Sequence, residues 1–334
     1  MEKTRLGIVG LGWIAQVVHL PILMKASEVE IVAACDVDRR RGKLVTEKFH
    51  IPRFYDDIEH MLNEADLSAV IVCTSTDAHR EATLACLRAG KDVLVEKPIA
   101  RRLSEAVDMA EAAKTARRRL MVGMNHRFRP DTMILKSFIE GDELGDVYFV
   151  RTGWLRKRKL DTGWIVQKEM SGGGVFLDLG IVMLDMALWM MGYPVVKRVG
   201  ASHFNHKTRQ VEDTSLVSLT LDNGSRIHIE VSWSMYLEDD QYFCHVFGSE
   251  GTATLNPLQV NKELHGSLVN LAPAKIDPPQ HLFKRSYENE LKHFLGAIRG
   301  VHPVISTADE AVQRMRVAEA VYKSVRLGKE ILLT

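Results

Sequence analysis

Cysteine is scarce in this chain: four in 334 residues (Cys35, Cys73, Cys86 and Cys244), far apart and without a CxxC pair. Such spacing excludes cysteine-based zinc modules and the disulfide frameworks of small secreted domains, so a cytoplasmic location is expected. An excess of charge is missing too, since 44 Lys+Arg against 43 Asp+Glu leave +1. Global attraction to nucleic acid or to an anionic membrane is therefore not expected, and no nucleic-acid reader motif is present. No cluster of residues has metal-ligand spacing, so no metal is expected. The opening run MEKTRLGIVGLGWIA lacks the apolar core and cleavage site of a secretory signal. The most apolar stretch, 175–191, carries Asp178 and Asp185, too many charges for a span of about 20 apolar residues. Repeats and low-complexity tracts are absent as well.

What is present suffices for a substantial core. With 46% apolar and 26% charged residues, the chain divides most naturally into about two domains. Up to residue 124, β-branched runs (5–10, 29–36, 69–75, 92–98, 119–124) alternate with helical stretches (near 14–26, 39–49, 57–63, 77–89, 103–117). This alternation predicts α/β architecture: an N-terminal Rossmann domain, a doubly wound parallel sheet, over 1–124. Over 125–334 the pattern changes to a short helix (131–140), strands (147–155, 215–235), a helix (175–191) and a closing helical pair (286–299, 307–326). It predicts an α+β domain with a large, mostly antiparallel open sheet, whose closing helices can return to the first domain. Asn223 and Gly224 between two alternating runs predict a type I′ hairpin, with positive φ at both residues.

Gly10, Gly12, Trp13, Ile14 and Ala15 stand where the first strand should turn into the first helix. Gly10 permits a tight turn, Gly12 lets backbone approach a pyrophosphate, and Ala15 allows close helix–strand packing. The helix N-terminus adds free N–H groups and a positive dipole end. Asp36, ending the second strand, is placed to accept ribose hydroxyls and to repel a 2′-phosphate, so NAD is the expected cofactor. Arg39, Arg40 and Arg41 keep NADP open, because they can wrap a phosphate as well as form a solvated helix face.

In order along the chain stand GLGWIA (10–15), CTSTDAH (73–79), EKP (96–98), GMNHRF (123–128) and GGGVFLDLG (172–180). This series resembles the Gfo/Idh/MocA oxidoreductase family over nearly the whole chain, with EKP followed by GGGxxxDxG the most specific part. The resemblance implies hydride transfer between NAD(P) and a sugar, inositol or related polyol. It also implies an open sheet used between subunits, hence a homodimer or homotetramer. It places Thr74, Ser75, His79, Glu96 and Lys97 with the cofactor, and Lys97 and Asp178 in catalysis. To the substrate it assigns Asn125, Arg127 and Asp185, together with Arg156, Trp164 and Lys168 of the basic segment 152–174. Lys97 also stands, on the residues alone, at the C-terminal end of a parallel strand, where such folds bind ligands. Pro98 holds it extended and admits a cis bond.

The chain departs from the family at one position. The common DxGxHxxD pattern carries its proton-accepting histidine four residues after the aspartate, and here that residue is Val182. Three explanations stand side by side: Lys97 or Asp178 does the proton work, another residue such as His126 or Tyr236 reaches in, or alcohol oxidation has been lost. A glycosidase that uses bound NAD and a non-catalytic nucleotide or sugar sensor are the corresponding alternatives to a dehydrogenase.

Overall fold

The computed structural model describes residues 3–157, 163–275 and 278–333. Arg158 and Lys159 of the basic segment lie outside the described residues. Two compact units emerge, Met1–Asn125 with Tyr287–Val312, and His126–Ser286 with Gln313–Thr334. Each unit is thus built from two stretches of chain, and parts of the closing helical pair are counted with the first.

The first unit is built on six strands: β1 (Thr4–Val9), β2 (Val29–Cys35), β3 (Arg53–Tyr55), β4 (Ala69–Val72), β5 (Asp92–Val95) and β6 (Leu120–Val122). They pair in parallel in the order β3-β2-β1-β4-β5-β6. β4 and β5 are buried at every position, as expected of strands covered on both faces. The short edge strand β3 carries too little alternation to be read from sequence. The order reverses between β1 and β4, and loops after these strands and after β2 and β5 converge at the switch point where such sheets bind ligands. The returning stretch is fastened to β6, with Ser306 Oγ donating to Val122 O at 2.7 Å and Val122 N to Ser306 O at 3.0 Å.

The second unit carries nine strands: β7 (Val147–Leu155), β8 (Val196–Phe204), β9 (Thr214–Leu221), β10 (Arg226–Ser232), β11 (Gln241–Gly248), β12 (Gly251–Leu255), β13 (Gln259–Leu264), β14 (Ser267–Asn270) and β15 (Ile331–Leu332). Their order is β14-β13-β12-β11-β7-β10-β9-β8-β15, antiparallel at every pairing except β7 with β10. Alternation on β9 and β10 turns Leu219, Ile227 and Ile229 inward and leaves the other face open. The hairpin at Asn223 and Gly224 forms, but only Gly224 takes a positive φ (+86°). Leu221 N bonds Ser225 O, so the loop has three residues, the geometry of a type I turn with a glycine bulge instead of type I′. The apolar stretch Lys168–Met190 is long enough to cross a membrane, yet 89% of its most apolar window is buried in the fold, and it is a core element.

Candidate active site

The cofactor turn is shaped by two glycines with different surroundings. Gly10 has φ +85°, and a Cβ there would lie 2.6 Å from the Thr74 backbone nitrogen, so β1 and the loop after β4 touch only because the side chain is missing. A Cβ on Gly12 would meet nothing within 4 Å. That open space beside a helix N-terminus fits the pyrophosphate of a dinucleotide. Ala15 is fully buried, Ile14 half-buried and Trp13 65% exposed, and the helix passes through a π turn at Ala15–His19.

Asp36 is held more firmly than a simple ribose acceptor. Oδ2 accepts from Leu11 N at 2.7 Å and Arg41 Nε at 3.0 Å, and Oδ1 from Asp38 N at 2.8 Å and Arg41 Nη2 at 2.7 Å. Burial works to raise its pKa, but Arg41 and the two backbone donors hold it below the usual carboxylate range. All four lone-pair sites are used, so ribose hydroxyls reach Asp36 only by displacing the half-exposed Arg41. Arg39 pairs with Asp56.

After β4, Thr74 and Ser75 are half-buried at the start of helix Thr76–Arg88. His79, expected with the cofactor, is instead 1% exposed and spans two loops: Nδ1 is 2.9 Å from Pro98 O and Nε2 is 3.2 Å from Thr74 O. Burial lowers its pKa, and the single N–H of the neutral ring can donate to only one of these carbonyls, the nearer being Pro98 O in the loop that carries Lys97. Lys97 is half-buried just beyond β5, and its bond to Pro98 is cis. Glu96 before it is 9% exposed and bonded to His19 Nε2 at 2.7 Å. Burial opposes its ionisation, yet the His19 hydrogen bond and then the Lys97 charge keep it below the ordinary glutamate value.

In the second unit, the glycine run 172–174 is explained by close packing. A Cβ on Gly174 would stand 2.0 Å from Glu212 O, and one on Gly173 would stand 2.0 Å from Tyr322 Oη. Glu212 accepts from Gly174 N and Phe176 N, each at 3.0 Å, and from Tyr322 OH at 2.8 Å. It therefore caps the helix start that carries Asp178. Asp178 is half-buried in a π turn, Phe176–Gly180, and Trp233 Nε1–H donates to its Oδ2 at 2.9 Å. Val182 is buried on helix Ile181–Met190, its apolar side chain 3% exposed.

Asp185 and Arg127, expected at the substrate, are bonded to each other in this structure. Asp185 accepts from Arg127 Nε (2.8 Å) and Nη2 (2.6 Å), Arg314 Nη1 (2.5 Å) and Tyr193 OH (2.6 Å). Its side chain is 2% exposed and those of both arginines 1%. Against the cost of burial, the two guanidinium charges pull its pKa down to about 2. The carboxylate is saturated by protein donors, which makes this pair a buried brace. Asn125 is buried in the 3-10 turn Asn125–Phe128. His126 is buried too, 3.1 Å from Tyr242 OH and packed on Trp154, whereas Tyr236 is 89% exposed. Arg156 is tied to Asp240 at 3.1 Å, Trp164 is 37% exposed, and Lys168 is exposed. Among the described residues no group of His, Cys, Asp and Glu could hold a metal ion.

Sequence reading missed His19, Glu212, Trp233, Glu290, Arg314 and Tyr322. One signal was there to find: Tyr287, Glu290, Leu291 and Phe294 share helical spacing, so Glu290 interrupts an apolar stripe.

A doubly wound parallel sheet with a glycine turn open to a pyrophosphate defines a dinucleotide-binding domain, here that of an NAD-dependent oxidoreductase. The chain belongs to the Gfo/Idh/MocA family: residues 4–124 match the oxidoreductase family, NAD-binding Rossmann fold, and residues 136–333 its C-terminal alpha/beta domain. It is 30% identical to D-glucoside 3-dehydrogenase of Escherichia coli (strain K12), over 98% of this chain and 97% of that protein. It is 26% identical to myo-inositol 2-dehydrogenase of Thermotoga maritima, over 98% of each. Its fold is similar to that of levoglucosan dehydrogenase in complex with NADH and levoglucosan, with a TM-score of 0.89, 19% identity and 99% of each chain covered.

Proposed function

We propose that this enzyme oxidises a secondary hydroxyl of a sugar, inositol or related polyol, and that Lys97 and Asp178 handle the hydroxyl proton. The observation that carries the reading is Lys97 at the strand end, in a loop held by His79 and next to a buried Glu96. The substrate class is drawn from the names of the relatives. Bound NAD supplies the hydride acceptor. Gly10, Gly12 and the helix N-terminus would hold its pyrophosphate, with Asp36, Thr74 and Ser75 on the rest of the nucleotide. Lys97 Nζ binds the reacting oxygen and exchanges its proton, and Asp178, oriented by Trp233, bonds the substrate hydroxyl. With Val182 in place of an imidazole, proton transfer rests on these two groups.

On the substrate side we assign Trp164 and Lys168. Arg156 contributes only by giving up its ion pair with Asp240. The open face of the second sheet carries Leu216, His228 and stacked Phe149 and Phe247, and we assign it to a homodimer or homotetramer contact. Four buried, unpaired cysteines favour a cytoplasmic location.

The test is NADH formation from NAD over a panel of glucosides, aldoses, inositols and sugar acids. Lys97→Met should cut kcat by about 100- to 10,000-fold while NAD still binds. NAD binding without Lys97-dependent turnover on any of them would overturn the proposal and support the binding-protein reading that Val182 favours. Sugar release without net NADH would instead identify an NAD-dependent glycosidase.

A further inference from the structure

Behind Lys97 the first unit buries more titratable chemistry than nucleotide binding requires. The His19 ring that bonds Glu96 also meets the edge of Tyr287, with centroids 5.8 Å apart. Tyr287 and Glu290 are three residues apart on helix Pro279–Ile298 and so share a face. Glu290 is 0% exposed, and neither of its carboxyl oxygens has a hydrogen-bond partner among the described residues. The Met124 amide gives it a favourable dipole short of a formed bond.

The two carboxyls have unequal support. Glu96 has the His19 donor and the Lys97 backbone N–H at 3.3 Å, with the Lys97 charge nearby. Glu290 has no such donor, and burial followed by the charge of Glu96 pushes it well above the ordinary glutamate value. Cys73, buried between β4 and its helix, feels both carboxyls and stays a thiol, first through burial. Two buried carboxyls in one site do not both ionise, and the one without donors keeps the proton. His19 Nδ1 is buried without a partner, so the ring proton sits on Nε2, facing Glu96.

We propose that Glu290 is a positioning residue for hydride transfer: buried on the helix face whose Tyr287 meets the His19 ring, it confines the buried negative charge to Glu96, the carboxylate next in the chain to Lys97. The inference rests on the role given to Lys97 above. Its consequence is an alkaline limit. When Glu290 ionises, a second negative charge enters the cluster and the field at Lys97 is no longer set by Glu96 alone. Stability carries the same signature: the unfolded chain releases this proton from about pH 4.5 and the folded chain much later, so the folded state loses stability as pH rises through that interval.

Infrared difference spectra of the full chain, wild type against Glu290→Gln near neutral pH, test the idea directly. The wild type should show a protonated-carboxyl C=O stretch that the variant lacks. Thermal unfolding should find the variant gaining on wild type as pH rises above about 4.5. One pH unit above the wild-type alkaline midpoint, kcat/KM of the variant should be about tenfold higher than that of wild type. A missing carboxyl band overturns the proposal, and so does an alkaline limb that is identical in both proteins. If Glu290→Gln does not fold, Glu290→Met serves the same comparison. Turnover indifferent to Lys97→Met, with the band present, would overturn the role of Lys97 and the positioning role with it; a missing band removes the part of Glu290 alone.

Discussion

The glycine turn at 10–15 and the glycine run at 172–174 both open a helix, and both helices pass early through a π turn, at Ala15–His19 and Phe176–Gly180. Beside Gly12 there is open space; beside Gly174 stands the backbone of Glu212. One turn leaves room for a ligand and the other is filled by the protein. The carboxylates that belong to the two regions differ in the same sense. Asp36 is clamped by Arg41, which is 41% exposed and can swing aside, whereas Asp185 is locked between two arginines that solvent does not reach. Residue type says little here; what fills the space beside the residue supplies the role.

That contrast can be broken by experiment, most severely at Asp185. Asp185→Asn leaves two buried guanidinium groups without their counter-charge and should cost about 3–5 kcal/mol, measured by denaturant unfolding. Because the folded-state pKa of Asp185 lies at about 2, below its ordinary 3.8, wild-type stability from this group is present above pH 3.8 and drains away as pH falls toward 2. The Asn variant should lack that acid-sensitive step. Next comes Gly174→Ala, whose Cβ has only backbone to push against; a loss of about 3 kcal/mol is expected. A Gly174→Ala protein as stable as wild type would show that this turn is as open as the first.

Smaller effects sharpen the comparison from the ligand side. Gly12→Ala should leave unfolding within about 0.5 kcal/mol of wild type. It should nevertheless weaken NAD binding in calorimetric titration by about tenfold or more, because the methyl group occupies the approach of the pyrophosphate. Equal losses of stability at Gly12 and Gly174 would erase the distinction. Smallest overall is Arg41→Ala, expected to change stability by less than about 0.5 kcal/mol. By freeing Asp36 for ribose hydroxyls and unmasking its repulsion of a 2′-phosphate, it should raise the preference for NAD over NADP. A fall in that ratio would mean that Arg41 does not compete for Asp36.

Much of this was legible in the chain. The strands of the first unit other than the edge strand β3 announce themselves as continuous apolar runs bounded by glycine and polar turns, because both of their faces are covered. GLGWIA, Asp36 and Lys97 could be placed for the same reason: their meaning depends on neighbours a few residues away. The second sheet was harder. β8 and β11–β14 carry polar and aromatic residues on an open face, as in the pattern of β13, where a single position is fully buried, and alternation there is too weak to read. The brace of Arg127, Asp185 and Arg314 was invisible as a brace; Arg127 and Asp185 were read as ligand contacts because motif position cannot tell a saturated carboxylate from an available one.

By itself the sequence determined the class of fold, the family, the nicotinamide cofactor and the presence of valine at position 182, all matters of local pattern and residue identity. Tertiary structure alone decided which carboxyls are paired and which are not. His19 and Glu96 are 77 residues apart, and Arg314 lies 129 residues from Asp185. Charge state depends on donors and solvent within a few ångströms, and that neighbourhood exists only once the chain has folded.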